Sequence, residues 1–523
     1  MQLTSDEIKN LKGILQNKDI SVVLQGMDLF YASIQEESLD AIPECLRQIS
    51  ARRAPELFAV NRLFSMRILS DIFKNFPHSD IIALSLLNYL SQFDCYENNK
   101  KTMKLNFSRN FFSRYSDAEQ ERVFQLIAEL DFLRELDLSQ INFKAEGLVH
   151  LSNIRSLKLN YLYQFRSWDT IAELTQLEYL ELRNGSMTSM PDSFRKLTNL
   201  KHLDLSYNNI QTISPLISGM HNLEVFLMEG YGYQNLSNEA EALESLFSLP
   251  KLKKVSIAAG LKKIPSLEHC LELEELHLGN HRNEIHSIPD NITQLTHLRI
   301  LDLSHNALLK IPTDWSGMTQ LHTLKLAHNK LKKLPKSMEG LTSLQILSVH
   351  DNQLTNIPPL AAFSQLKQCS FANNSLKKLP SNIGVLSHLT ELDLSNNAIT
   401  VLPDDLEKLH KITNLNCRKN KISELPMGFA SLSGLQNLDL SENSIAELPE
   451  ERQEKVMSEI SDSEHLKDIR ELLTYEENTA GALMAKELVK VQGEWTVTRA
   501  IREIRRQAEE LHQVYTVYVV DEN

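Results

Sequence analysis

From Leu298 onward the apolar positions recur at a fixed rhythm. Leu298, Leu301, Leu303, Asn306 and Leu308 follow the pattern L-x-x-L-x-L-x-x-N-x-L, and Leu321, Leu324, Leu326, Asn329 and Leu331 repeat it. The asparagine returns as Asn306, Asn329, Asn352, Asn374, Asn397, Asn420 and Asn443, at intervals of 23, 23, 22, 23, 23 and 23 residues. Six residues after each stands a proline: Pro312, Pro335, Pro358, Pro380, Pro403, Pro426 and Pro449. The period of two within L-x-L places both leucines on one face of a short strand and the residue between them on the other. One such unit cannot bury its own apolar face, so the pattern predicts stacked units sharing a continuous core.

Looser copies begin at Leu133, Ile154, Leu177, Leu200, Leu223, Leu252 and Leu273, giving about fourteen units in all. Among these only the Leu200 unit keeps its asparagine, Asn208. Spacing becomes irregular after Leu223, at 29, 21 and 25 residues, which predicts an insertion around Tyr231 to Glu244 that bulges on the rim or convex side. An asparagine amide both donates and accepts, so the row Asn208, Asn306, Asn329, Asn352, Asn374, Asn397, Asn420 and Asn443 is expected to satisfy backbone groups at the turn after each strand. The proline sets an extended backbone on the return side. These motifs resemble the leucine-rich-repeat family in its cytosolic 23-residue form, whose second half reads L-P-x-x-[IFLM]-x-x-L, as in Leu334-Pro335-Lys336-Ser337-Met338. The resemblance implies an α/β solenoid over residues 131–449 with a concave parallel sheet, and a role in binding rather than catalysis. Cys369 and Cys417 occupy leucine positions and are expected in its core.

The flanks follow other rules. Residues 1–130 show helical spacing, with Thr4 and Glu7 as a capping box before Ile8, Leu11, Ile14 and Leu15, and predict an all-α N-terminal region. At its end, Val123, Phe124, Ile127 and Leu130 form an amphipathic pattern suited to sealing the open end of a repeat array. Residues 450–523 predict a small α+β tail: helices over Glu451 to Leu473 and Trp495 to Leu511, and a strand over Val514 to Val520. Three stretches of this tail, Leu472 to Met484 (LLTYEENTAGALM), Ile501 to Ala508 (IREIRRQA) and Val517 to Asp521 (VYVVD), resemble the cytosolic part of the MgtE family of magnesium channels. In that family they mark the end of the helical N domain and the first half of a CBS motif. Asn478 stands where an acidic residue is usual and Ala482 where a glycine is. The resemblance implies Mg2+ as an ion for the tail, with Glu476, Glu477 and Asp521 as its candidate ligands, and association with a membrane magnesium transporter. The matching motifs stop at Asn523 within the first CBS motif, so a regulatory fragment is expected rather than a conducting channel.

Composition narrows the function classes. The formal charge of −13 is unlike the basic face of a general nucleic-acid binder. The tail alone carries 17 acidic and 10 basic residues. The five cysteines Cys45, Cys95, Cys270, Cys369 and Cys417 lie far apart without a C-x-x-C pair, which suits a reducing compartment, and a cytoplasmic location is expected, at the inner membrane face if the tail docks to a transporter. No run reaches the length of apolar residues needed to cross a bilayer, and the N-terminus lacks a signal-peptide pattern. Phosphate-cradling, zinc-protease, nucleophile-elbow and EF-hand motifs are all missing, so no enzyme and no cofactor is expected.

The candidate site is the concave face, and its expected ligand is a protein of unknown identity. The residues between paired leucines include Asp302, Lys325, Asp393 and Asp439. The positions just before each asparagine add His305, His328, His350, Asp351, Asn373, Asn396, Arg418 and Lys419. Neighbouring strands lie ~4.8 Å apart, so His305 and His328 should be adjacent, with His350 and Asp351 one strand further. Such a strip can be a recognition surface, a shared ion site or a solvated polar ladder, and the sequence leaves all three open. Aromatic residues cluster upstream as Tyr161, Tyr163, Phe165, Trp168, Tyr207, Tyr231 and Tyr233, either at an interface or packed inside.

Overall fold

Leucines two residues apart, repeated at every turn of the array, form very short parallel strands. A computed structural model describes residues 116–128, 133–230, 236–357, 363–445, 489–492 and 517–520, with isolated positions 10, 25, 112 and 360. The expected N-terminal helices, the tail helices, Tyr231, Tyr233, Glu476, Glu477 and Asp521 lie outside the described residues. The chain divides into two compact units. The first contains strands β1 (Glu135–Asp137), β2 (Ser156–Lys158), β3 (Tyr179–Glu181), β4 (His202–Asp204), β5 (Val225–Met228) and β6 (Lys254–Ile257). The second contains β7 (Glu275–His277), β8 (Ile300–Asp302), β9 (Thr323–Lys325), β10 (Ile346–Ser348), β11 (Gln368–Ser370), β12 (Glu391–Asp393), β13 (Asn414–Asn416) and β14 (Asn437–Asp439). Each of the fourteen expected repeat starts is followed by one of these strands, so the class is an α/β leucine-rich-repeat solenoid.

Within each unit neighbouring strands pair in parallel without a register shift. Leu136, Leu157, Leu180, Leu203, Phe226 and Val255 stand opposite one another in the first. Leu276, Leu301, Leu324, Leu347, Cys369, Leu392 and Leu415 do so in the second. All of these side chains are buried. At ~1.5–3 kcal/mol for each fully buried aliphatic side chain, this column is a substantial part of the favourable core of the fold. Cys369 in this column and Cys417, two residues after Leu415, are both buried as expected, and burial pushes the Cys417 thiol up to about 12.

The return side of most repeats is a single short 3-10 turn, for example Asp192–Lys196, Lys336–Gly340 and Asp404–Lys408. Pro335, Pro403 and Pro426 stand immediately before such turns with φ of −73°, −70° and −63° and extended ψ, the geometry their rings impose. The irregular spacing after Leu223 resolves into α2 (Glu239–Leu246), a true helix that packs Ala242, Leu243 and Leu246 inward beside the Pro215–Gly219 turn. The expected cap is α1 (Asp117–Ala128), whose Val123, Phe124 and Ile127 are buried. Phe124 stacks on Phe112 at 4.8 Å and meets Phe143 at 5.6 Å, while the Gln120 side chain accepts from the Lys144 N–H. Phe165 and Trp168 belong to the core, with centroids 4.7 Å apart, whereas Tyr161 and Tyr163 are exposed. In the tail, β15 (Val489–Gln492) and β16 (Val517–Val520) pair in parallel. Of these two strands only β16 falls within a strand expected from the sequence. No helix among the described residues is long and apolar enough to cross a membrane.

The asparagine row ties each repeat to the one before it. Asn352 accepts from the Leu331 N–H at 2.9 Å and donates to the Leu326 carbonyl of the preceding repeat and the Val349 and His350 carbonyls of its own. Asn306, Asn329, Asn374, Asn397, Asn420 and Asn443 repeat the arrangement, and so does Asn208, which accepts from Met187 and in addition from Gly185. Replacing Asn352 with alanine strands an amide and carbonyls in an apolar interior, at ~1–3 kcal/mol for each group left unsatisfied. The Asn352→Ala chain is expected to unfold at clearly lower urea concentration than wild type, and Asn352→Asp, which accepts but cannot donate, should fall between them. Equal midpoints for all three would remove the row from the stability of the fold.

Candidate interaction surface

The residue between paired leucines faces away from the core, and the exact register turns these residues into columns. In the second unit the column runs His277, Asp302, Lys325, Ser348, Ser370, Asp393, Asn416, Asp439. Lys325 Nζ lies 3.5 Å from Asp302 Oδ2. The other oxygen of Asp302 accepts from the Ser304 N–H at 3.0 Å, and Asp393 and Asp439 hold the Ser395 and Ser441 N–H groups in the same way. These aspartates therefore cap the turn that ends each strand while still presenting charge to solvent. Gly279 is required beside this turn, because a Cβ there would stand 2.1 Å from Asp302 Oδ1.

A second row lies just beyond the strand ends. His305, His328, Asp351, Asn373, Asn396, Lys419 and Glu442 all adopt left-handed backbone, with φ between 53° and 56°. Histidine, aspartate and asparagine tolerate that region better than most side chains. Stacking the repeats lines these groups up. The His281 and His305 rings are 3.6 Å apart, His305 and His328 stack at 4.0 Å, and His350 stands edge-on to His328 at 4.9 Å. Asp351 accepts from His350 Nδ1 at 2.7 Å and lies 3.6 Å from His328 Nε2. Partial burial opposes its charge, but bonds from His350 and Asn373 and the nearby imidazoles outweigh this and hold its carboxyl below the usual range. Asn396 donates to Asn373 at 2.6 Å, and Arg418 makes a two-nitrogen contact with Glu442. The expected adjacency of His305, His328, His350 and Asp351 is thus realised, and Asp302, Lys325, Asn373, Asn396 and Arg418 have side-chain partners on neighbouring repeats.

The first unit presents a different surface. Glu181 accepts from Tyr179 Oη at 2.9 Å and Asn160 Nδ2 at 2.8 Å, with Lys158 Nζ at 3.2 Å. Burial raises its proton affinity, but these three partners prevail and keep its carboxyl below the ordinary value. Arg183 approaches Asp204 at 3.6 Å and lies over the Tyr207 ring at 5.2 Å. His202 stacks on Tyr179 at 4.2 Å, and its Nε2 is buried without a hydrogen-bond partner. Beside it, Val225 and Leu227 are half-buried apolar side chains on β5. Tyr179 and His202 were not among the residues singled out from the sequence. Their signal was the position two before the middle residue of each L-x-L, which the same register brings to the same face.

Three stretches, residues 175–230, 271–331 and 296–354, match the family model described as leucine rich repeat, and residues 387–431 match the model for two copies of such repeats. The chain contains leucine-rich repeats. It is 29% identical over 201 residues to a volume-regulated anion channel subunit, LRRC8E, of Xenopus laevis, a match that covers 33% of this chain and 25% of that protein. The chain spans about a quarter of the length of this curated relative. It is also 43% identical over 60 residues to the magnesium transporter MgtE of Enterococcus faecalis, covering 12% of this chain and 13% of the transporter. Among solved structures, a leucine-rich-repeat protein of Leptospira interrogans superimposes with a TM-score of 0.56 at 26% identity, over 65% of this chain and 85% of that one.

The orphaned imidazole of His202 generates a pH dependence. Burial depresses its pKa below 6.5, reinforced by Lys158 and Lys254 and opposed by Asp204 and Glu181. The unfolded chain then binds more protons than the folded one below that value, so the stability contribution is complete above pH ~6.5 and is lost as pH falls through the folded value. The urea midpoint should drop between pH 7.5 and pH 5.5, and His202→Phe, which keeps the stack on Tyr179, should reduce that drop. An undiminished drop in the variant would assign the effect to other groups.

Proposed function

We propose that the chain is a non-catalytic, cytoplasmic scaffold that binds a protein partner through the exposed face of its repeat sheet. The observation that carries this reading is the register. Fourteen strands hold charged, amide, imidazole and apolar side chains in fixed columns, and hydrogen bonds to neighbouring repeats limit their freedom before a partner arrives. Pre-ordered side chains lose less conformational entropy on association than free ones, which favours binding. Partner contacts are assigned to Asp302, His305, Lys325, His328, His350, Asp351, Asn373, Asp393, Asn396, Arg418, Lys419 and Asp439.

A charge reversal tests the assignment. Asp302→Lys, Lys325→Glu and Asp393→Lys together should abolish at least nine-tenths of the capture of a partner that the wild-type chain retains, with folding verified by circular dichroism. Capture that is insensitive to the triple change would move the interface off this face.

The 60-residue similarity to MgtE and the parallel β15–β16 pair favour a second reading, a regulatory module associated with an MgtE-like magnesium transporter. In that reading Glu476, Glu477 and Asp521 supply oxygen ligands to Mg2+, a hard cation that suits carboxylates. Titration with millimolar magnesium should then release or absorb heat and raise the thermal midpoint, and Glu476→Gln with Glu477→Gln should remove both effects. No heat and no change in midpoint would dismiss magnesium sensing by this chain.

A further inference from the structure

The second unit brings two imidazole nitrogens to one carboxylate oxygen. Asp351 Oδ2 is 2.7 Å from His350 Nδ1 and 3.6 Å from His328 Nε2, and one ligand atom from each of the three residues lies within 4.8 Å of the others. We propose that His328, His350 and Asp351 form a site for one divalent transition-metal ion, with zinc as the best-suited occupant. The proposal stands independently of the scaffold reading.

The chemistry of the donors selects the ion. Two imidazoles and a carboxylate suit zinc and its neighbours, whereas magnesium and calcium prefer oxygen alone. Zinc bound tetrahedrally at ~2.0–2.2 Å places its donor atoms ~3.3 Å apart. The two observed nitrogen–oxygen distances bracket that value, so side-chain shifts of under ~1 Å, within ordinary rotamer adjustment, would accommodate the ion.

The backbone already holds the donors in place. His328 and Asp351 share the left-handed conformation, with φ of 53° and 54°. The His328 N–H donates to the His350 carbonyl at 2.9 Å, and the Asp351 N–H to the Ala372 carbonyl at 2.9 Å. Outer partners orient the ligands further. Asn373 bonds to Asp351 and is itself held by Asn396, while the His305 ring stacks against His328. Such outer contacts commonly raise metal affinity and fix ligand orientation. Three protein ligands leave at least one coordination position open, and with His328 exposed that position faces solvent. Water, or a histidine or carboxylate on a bound protein, would complete the shell.

Calorimetric titration of the full chain with zinc chloride at pH 7.5 should show one equivalent bound. His328→Ala and Asp351→Asn should each weaken binding at least tenfold, and Asn373→Ala should weaken it less. Urea unfolding of the same variants without metal verifies that each is folded. Cobalt(II) in place of zinc should give a visible d–d spectrum without thiolate charge-transfer absorption, which separates this site from the cysteines. The proposal fails if wild type binds no zinc, if the His328→Ala, Asp351→Asn double variant binds as tightly as wild type, or if the cobalt adduct carries a thiolate band.

Discussion

The regular half of this array, from Asn306 to Asn443, depends on one side chain that belongs to two repeats at once. The asparagine after each of these strands, as at Asn329, accepts an N–H from the preceding repeat and donates to carbonyls of both. The N–H groups after the strand bond to the next repeat, and the amide takes up carbonyls there, such as those of Leu303 and Leu326. An apolar interior would make those groups costly to strand. The amide is short, bifunctional and uncharged, which is why the same residue recurs from Asn306 to Asn443 while the strand's exposed position varies freely from aspartate to lysine to serine. Leucine burial drives the stacking, and the asparagine row gives it a fixed spacing.

That division of labour explains what could be read from the sequence. Strand positions and the buried thiols of Cys369 and Cys417 followed from a requirement that recurs about every 23 residues, and the helix before the first repeat from its own amphipathic spacing. The proximity of His305, His328, His350 and Asp351 was legible for the same reason: fixed register converts sequence spacing into spatial distance. The insertion after Leu223 was visible only as a break in rhythm, and its resolution into a helix with Ala242, Leu243 and Leu246 inward depended on tertiary packing that spacing does not encode.

The dual role of the aspartates was also hidden. Asp302, Asp393 and Asp439 look like recognition charges in a linear sequence, yet one oxygen of each is committed to the N–H two residues on. The stack of His202 on Tyr179 escaped notice for a different reason. Both precede the L-x-L core by one position, where a surface residue and a packed one are spelled alike, and only the burial of the imidazole separates them.

The left-handed turn at each strand end acts as a filter on surface chemistry. A branched aliphatic side chain there would carry backbone strain, so this row is biased toward imidazole, amide and carboxylate groups before any ligand selects them. Imidazoles, amides and carboxylates are also the groups that share protons and ions most readily. A geometry needed simply to turn the chain thereby enriches one edge of the sheet in coordinating atoms at one-repeat intervals. Any repeat array built on the same turn inherits a scaffold on which ion sites can arise through single substitutions, while the strand columns remain free to diversify toward protein contacts.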